Sequence, residues 1–299
     1  MSNNKIIVIV GATATKKSYL ANKLATDLKL EVINADAFQV YKEINIGINK
    51  PSLKDLKNIK YHFINHKSIF DEYNIKIFQK EFFNLLKKNC NKNYILCGGS
   101  NLYIDSVINN YNLIEFQKEI TFKDNDNNSL WKKLFELDPN EANKINLNNT
   151  KRLKQALKIV LSSKLPKSIK DKNNFQCPFK FIIICADMDR KILYEKINKR
   201  TIDMINNNWK NEVCNLLNQY GNSILKTNAF KAIGYQQIYE SITQNKEIDI
   251  NLIQKKTRNY AKRQLTWIRN KFHINHYYYF LKNNYQEIFW YCEQFLNEK

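Results

Sequence analysis

The chain has 299 residues, 43% of them hydrophobic, and carries a formal net charge of +20. That length suits one large domain or a domain with an insertion, the apolar fraction can fill a sizeable core, and the lack of any run of about 18 apolar residues excludes a membrane-spanning helix. The positive excess points to a polyanionic partner such as nucleic acid, although a composition rich in lysine, asparagine and isoleucine also follows from AT-rich coding and inflates lysine everywhere.

In chain order, "MSNNKIIVIV" enters an apolar run directly, without the charged start and cleavage site of a signal peptide. Residues 5–10 predict a buried strand, and 17–29 a helix with Leu20, Leu24 and Leu28 on one face. "LEVINADAFQVY" predicts a second strand ending near Asp36, "INIGINKPS" a turn, 75–89 an amphipathic helix, and "NYILCGGSNLYIDSVI" a strand, glycine turn and helix. Residues 111–129 break into polar, asparagine-rich sequence and read as a flexible connection. Two helices follow in "LWKKLFELDPNEANKI" and "NTKRLKQALKIVLSS", then a buried strand in "KFIIICAD". From Arg190 to Asn270 the sequence is almost entirely helical, with a turn near "QYGNS", and the aromatic tail predicts a strand and a closing helix used for packing. The β-α alternation implies an α/β fold: a P-loop-type parallel sheet flanked by helices, with a small, mainly helical insertion domain. Its expected division is a core of residues 1–110 and 147–299 around an insertion of 111–146.

Six cysteines without C-x-x-C spacing indicate a reduced, cytoplasmic protein with incidental thiols. The histidine pairs His62/His66 and His273/His276 lack the cysteine or acid partners of a metal set, so packing or surface roles are expected for them. Lysines outnumber arginines 42 to 6. Lysine does not replace a planar bidentate donor, so Arg152, Arg190, Arg200, Arg258, Arg263 and Arg269 are better site candidates than any lysine taken on charge alone.

The segment "IIVIVGATATKKSYLANKLA" has the layout of a phosphate loop: a strand delivers a turn whose N–H groups face an anion at a helix N-terminus. Gly11, Ala12, Thr13, Ala14, Thr15, Lys16, Lys17 and Ser18 would form the diphosphate cradle. Lys17 is its point charge, and Ser18 the hydroxyl that ligates Mg2+. Lys16 stands where the pattern G-x-x-x-x-G-K-[ST] has its second glycine. Its backbone is expected at positive φ, its side chain directed out of the cradle into solvent, and Lys16→Gly is expected to tighten anion binding up to about tenfold. The later strand that would carry the metal-supporting acid of an ATPase ends in Cys97-Gly98-Gly99, which argues against nucleotide hydrolysis and against a small-molecule kinase. Asp36 is the available carboxylate, at the sheet edge where open α/β folds bind ligands, and is a candidate general base.

Taken together, "GATATKKS", "ADAFQVYKEINIGINKP", "GGSNLY", "LFELDPNEANKINLNN", "KAIGYQQI" and "AKRQLTWIRN" resemble, in the same order, the motifs of the bacterial tRNA dimethylallyltransferases (tRNA isopentenyltransferases, IPP transferases). The resemblance implies transfer of a dimethylallyl group from dimethylallyl diphosphate to N6 of the adenine beside the anticodon, in tRNAs reading codons that begin with U. The phosphate loop would then hold a prenyl diphosphate. Asp36 would take the amine proton, and Lys17, Arg200 and Ser18 with Mg2+ would neutralise the leaving diphosphate. Asp36, Ala37, Phe38, Gln39 and Ser100 would line the adenine pocket. Lys151, Arg152, Leu153, Lys154 and Gln155 would approach the anticodon stem-loop, and Arg258, Lys262 and Arg263 would support the substrate channel or the RNA backbone. The target base must leave its stack to be reached. A cytoplasmic monomer is implied. The chain departs from the family at Lys16, Asn101, Asn149 and Gln155, and 111–129 is short for the family's tRNA-gripping insertion. Lys16 is also the feature that fits the alternative, a family member that binds tRNA without efficient catalysis.

Overall fold

The structure, a computed structural model, describes residues 4–113, 120, 122, 126–163, 177 and 179–298. It divides into a larger unit, residues 1–106 with 178–299, and a smaller one, residues 107–177. No helix among the described residues is long and apolar enough to cross a membrane.

The larger unit is built on β1 (Lys5–Gly11), β2 (Glu31–Asn34), β3 (Tyr61–His62), β4 (Tyr94–Cys97), β5 (Lys180–Asp187) and β6 (His276–Tyr279). All pairings are parallel, in the order β3-β2-β4-β1-β5-β6. β1 is buried along its whole length, as expected of a strand covered on both faces. One face is closed by α1 (Lys17–Asp27), through Leu20 and Leu24 at helical spacing, and by the C-terminal helix, through Tyr285, Ile288, Cys292 and Phe295. The tail aromatics are thus partly core, as its composition predicts, while Trp290 and Tyr277 stay exposed. The chain leaves β1 toward β2 on one side and returns from β4 to β5 on the other. The crevice at the carboxyl ends of these central strands is therefore a topological switch point, where ligands of open α/β sheets bind.

Helix α2 (Leu53–Asn58) is a short capped turn, α3 (Ile75–Lys88) carries the predicted amphipathic pattern, and α4 (Asn101–Ile108) follows the glycine turn. In the smaller unit α5 (Asn127–Leu137), α6 (Pro139–Ala142) and α7 (Thr150–Ser163) bury Leu130, Leu134, Ala142, Ile145, Leu153, Ala156, Leu157 and Val160 against one another. Two sequence expectations change here. The smaller unit runs on to residue 177 instead of ending at 146, because the apolar face of α7 pairs with α5. Residues 127–129, expected in a flexible connection, begin α5, with Asp126 capping it through the Ser129 N–H. The rest of that connection lies partly outside the described residues.

After β5 the larger unit continues through α8 (Arg190–Asn206), α9 (Trp209–Tyr220), α10 (Tyr235–Thr243), α11 (Ile250–Lys271) and, after β6, α12 (Tyr285–Asn297). Helices α8 and α11 pack on the carboxyl-end side of β1, where Ala12, Met188, Leu193, Ile197 and Ala261 form a second apolar cluster.

Candidate active site

A cleft of about 920 Å3 opens at the switch point. Its walls come from the ends of β1, β2 and β4 and from α8 and α11, so residues far apart in sequence meet there.

Of the predicted cradle, Thr13, Ala14, Lys16, Lys17 and Ser18 line the cleft, whereas Gly11, Ala12 and Thr15 are buried beneath it. The loop is held by its own bonds: the Thr15 N–H and hydroxyl both donate to the Ala12 carbonyl, at 3.3 and 2.8 Å. Lys16 has φ 69° and ψ 20°, the left-handed backbone that the missing glycine foretells. Its side chain does leave the cradle, but onto the ring of Phe280, with Nζ 5.5 Å from the centroid. Lys17 turns inward, its Nζ donating to the Ala12 carbonyl at 3.3 Å. Burial lowers its pKa, a tendency reinforced by Arg200 and opposed by Cys97 and Asp36.

Arg200 comes from α8, whose N-terminus is capped by Asp189 and whose buried face is Leu193, Ile197 and Thr201. That spacing leaves Arg200 beside the buried stripe, where it donates to Thr13 Oγ1 at 2.5 Å. Burial pushes it down to about 10, so it stays charged near neutrality.

Asp36 lies two residues beyond β2, facing the cleft. Its Oδ1 accepts the N–H groups of Phe38 at 2.9 Å and Gln39 at 3.3 Å, and the backbone amide of nearby Gly99 also favours the charged form. Burial raises its pKa, and these amides and Lys17 pull the other way without cancelling the rise. Gly99 is required by proximity: a Cβ there would stand 2.8 Å from Asp36 Oδ2. A raised carboxylate beside a buried ammonium and a guanidinium in one cleft can take a proton from a substrate while an anion is held opposite.

The other predicted residues separate. Phe38 and Gln39 line the cleft, and Gln39 donates to the carbonyls of Ile48 and Asn49 at 3.2 and 3.0 Å. Ser100 instead accepts the Ala37 N–H at 3.0 Å and so ties the turn after β2 to the glycine turn after β4. Arg263 lines the cleft, Lys262 is exposed elsewhere, and Arg258 bonds Asn198 of α8 at 2.6 Å. Their shared helical side, assumed from spacing, is split by the packing of α11 on α8. In the smaller unit Lys151, Arg152 and Gln155 are exposed and Lys154 is half-buried, but Leu153 is fully buried in that unit's core and is unavailable to RNA.

Four contributors escape sequence reasoning. Gln264 and Tyr260 both donate to the Gly99 carbonyl, at 2.8 and 2.7 Å. Trp209 fills the space beside Gly47 and Gly234, where added Cβ atoms would come within 2.3 and 1.9 Å of its ring. Glu212 accepts the N–H groups of Asn45 and Ile46 at 2.9 and 2.8 Å and the Tyr235 hydroxyl at 2.6 Å, fixing the "INIG" turn as a cleft wall. Gly47 in "INIGINKP" and Gly234 in "KAIGYQQI" are the sequence signals that could have found the Trp209 contact, and Gln264 lies inside "AKRQLTWIRN". His62 and His66 pair with Glu31 and Glu81 at 2.7 and 3.1 Å, in the packing and surface roles expected.

An IPP transferase family model matches residues 39–271. The chain is 50% identical to a tRNA dimethylallyltransferase of Malacoplasma penetrans over 296 residues, 99% of each chain. It is 40% identical to that of Mycoplasmoides gallisepticum over 282 residues, 90% of this chain and 89% of the relative. Among solved structures it is similar to a eukaryotic dimethylallyltransferase acting on tRNA, with a TM-score of 0.83 and 25% identity, covering 98% of this chain and 80% of that one. It is also similar to the tRNA isopentenylpyrophosphate transferase of Bacillus halodurans, at 0.71 and 27% identity over 98% and 96% of the two chains.

Proposed function

The chain belongs to the IPP transferase family, and on that footing we propose that it transfers a dimethylallyl group from dimethylallyl diphosphate to N6 of an adenine next to the anticodon of tRNA. The observation that carries this reading is the convergence of Asp36, Lys17 and Arg200 in one cleft, at a phosphate loop with no carboxylate closing β4. N6 attacks C1 of the dimethylallyl group, the C1–O bond breaks, and the electron pair leaves on the diphosphate. Asp36 accepts the N6 proton, since the exocyclic amine is a poor nucleophile while its lone pair is delocalised into the ring. Lys17 and Arg200 stabilise the charge growing on the leaving group.

The donor set fits Mg2+ only as a companion of the diphosphate. Among the described residues no cluster of three His, Cys, Asp or Glu side chains could hold a metal. The exposed Ser18 hydroxyl in the cleft would add one neutral ligand to the donor's own oxygens. Bound there, Mg2+ would supply further neutralisation of the diphosphate. The exposed cations of α7 suit the anticodon stem-loop.

The test is incubation with labelled dimethylallyl diphosphate and unmodified tRNA carrying an adenine beside its anticodon. Wild type should label that base, and Asp36→Ala should keep tRNA binding while single-turnover transfer falls about 10²–10⁴-fold. Unlabelled tRNA with wild type would leave the non-catalytic alternative, and an undiminished rate in Asp36→Ala would remove Asp36 as the base.

A further inference from the structure

The cleft has two chemical sides, one carrying Asp36 and one carrying the phosphate loop with Arg200, and they belong to different β-α turns. A single side chain spans them. Gln264 of α11 is 4% exposed. Its Oε1 accepts the Thr13 N–H at 2.8 Å, and its Nε2 donates to the Gly99 carbonyl at 2.8 Å. A backbone N–H can only donate and a carbonyl can only accept, so the amide has one satisfied orientation. The helix is itself anchored at that point, because Asn101 Nδ2 donates to the Gln264 carbonyl at 3.1 Å.

Each end of this bridge leads to a reacting group. Gly99 accepts Gln264 through its carbonyl and packs against Asp36, where an added Cβ would stand 2.8 Å from Oδ2. Thr13 gives its N–H to Gln264 and accepts Arg200 on its hydroxyl. The Thr13 N–H is therefore committed to α11, which leaves the anion to the later amides of the loop and to Lys17.

We propose that Gln264 is a positioning residue that sets the separation of the base from the leaving-group site, by bonding at once to the Gly99 turn and to the phosphate loop. Transfer needs the adenine N6, C1 and the departing oxygen in line. A misplacement of about 1 Å costs on the order of a hundredfold in rate without abolishing binding of either substrate. The inference rests on the transferase reading above. A wild-type protein that labels tRNA establishes that reading first, independently of any Gln264 variant.

The decisive variant is Gln264→Glu, which keeps shape and volume. Protonated, its carboxyl still accepts from Thr13 and donates to Gly99. Ionised, it sets an oxygen against the Gly99 carbonyl and breaks the bridge. Asp36, Lys17, Arg200, Tyr260 and Arg263 line the same cleft and contribute to the field on it. Single-turnover rates of wild type and variant, with both substrates saturating, are compared from pH 5 to 9. The variant-to-wild-type ratio is expected to fall by about a hundredfold as pH rises, with tRNA affinity changed less than about threefold. A ratio that stays near one across the range overturns the proposal, whereas a ratio already low at pH 5 reports a carboxylate ionised throughout and supports it. Gln264→Ala, checked for an unchanged melting profile, should show the loss in kcat at every pH, and an unchanged kcat in that folded variant overturns it as well.

Discussion

Lys16 offers the most discriminating perturbation, because sequence and tertiary structure give different answers for Lys16→Gly. Its left-handed backbone, at φ 69°, costs about 1 kcal/mol relative to glycine. Against that, the ammonium lying 5.5 Å over Phe280 returns about 0.5 kcal/mol at an exposed site. Glycine would also add about 0.4–1 kcal/mol of freedom to the unfolded chain. The terms nearly cancel, so Lys16→Gly should move folding stability by less than about 1 kcal/mol. For affinity the strain matters only if binding creates it. The turn is fixed by the bonds of Thr15 to Ala12 and of Thr13 to Gln264, so the strain belongs to the fold and is the same with and without donor. The tenfold tightening expected from the motif alone is replaced by a change within about threefold. Lys17→Ala removes the ammonium that faces the loop's interior and should weaken binding by about 1.5–3 kcal/mol, on the order of tenfold to a hundredfold or more. Calorimetric titration of dimethylallyl diphosphate with Mg2+ into wild type and both variants reads these numbers. A tenfold gain in Lys16→Gly would show that the loop rearranges on binding, and wild-type affinity in Lys17→Ala would show that the stretch is no phosphate loop.

Three further outcomes are expected. The single-turnover rate should be bell-shaped in pH. It rises as Asp36 ionises through a pKa that burial has raised, and falls as Lys17 loses its proton through a pKa that burial has lowered; a limb unchanged in Asp36→Asn or Lys17→Arg refutes that assignment. Affinity for tRNA should drop steeply with salt, as lysines and arginines displace condensed counterions, and a flat dependence would return the +20 charge to codon bias. Gly47→Ala should destabilise the fold by about 1–3 kcal/mol in denaturant melts, because its Cβ meets the Trp209 ring at 2.3 Å. Trp209→Leu in the same chain should recover part of that loss, and an additive double variant would refute the contact.

The sequence determines the strands other than the two-residue β3, the phosphate loop and the left-handed turn at Lys16, because these are local: an apolar run, a glycine or its absence, and a helix start act over a few residues. It also supplies Asp36 and Lys17, since the motifs around them are contiguous, and Arg200, one of only six arginines. What it leaves open is set by packing between distant segments. Leu153 reads as one more residue of a basic RNA-facing helix, yet the pairing of α7 with α5 buries it. Arg258 and Arg263 read as one cationic side, and the seat of α11 against α8 sends them apart. Gln264 lies inside the motif "AKRQLTWIRN" but carries no charge, so the motif marks the segment without saying what this side chain joins. Only where α11 crosses both the loop after β1 and the turn after β4, 251 and 165 residues away in the chain, does one amide find both a donor and an acceptor to join.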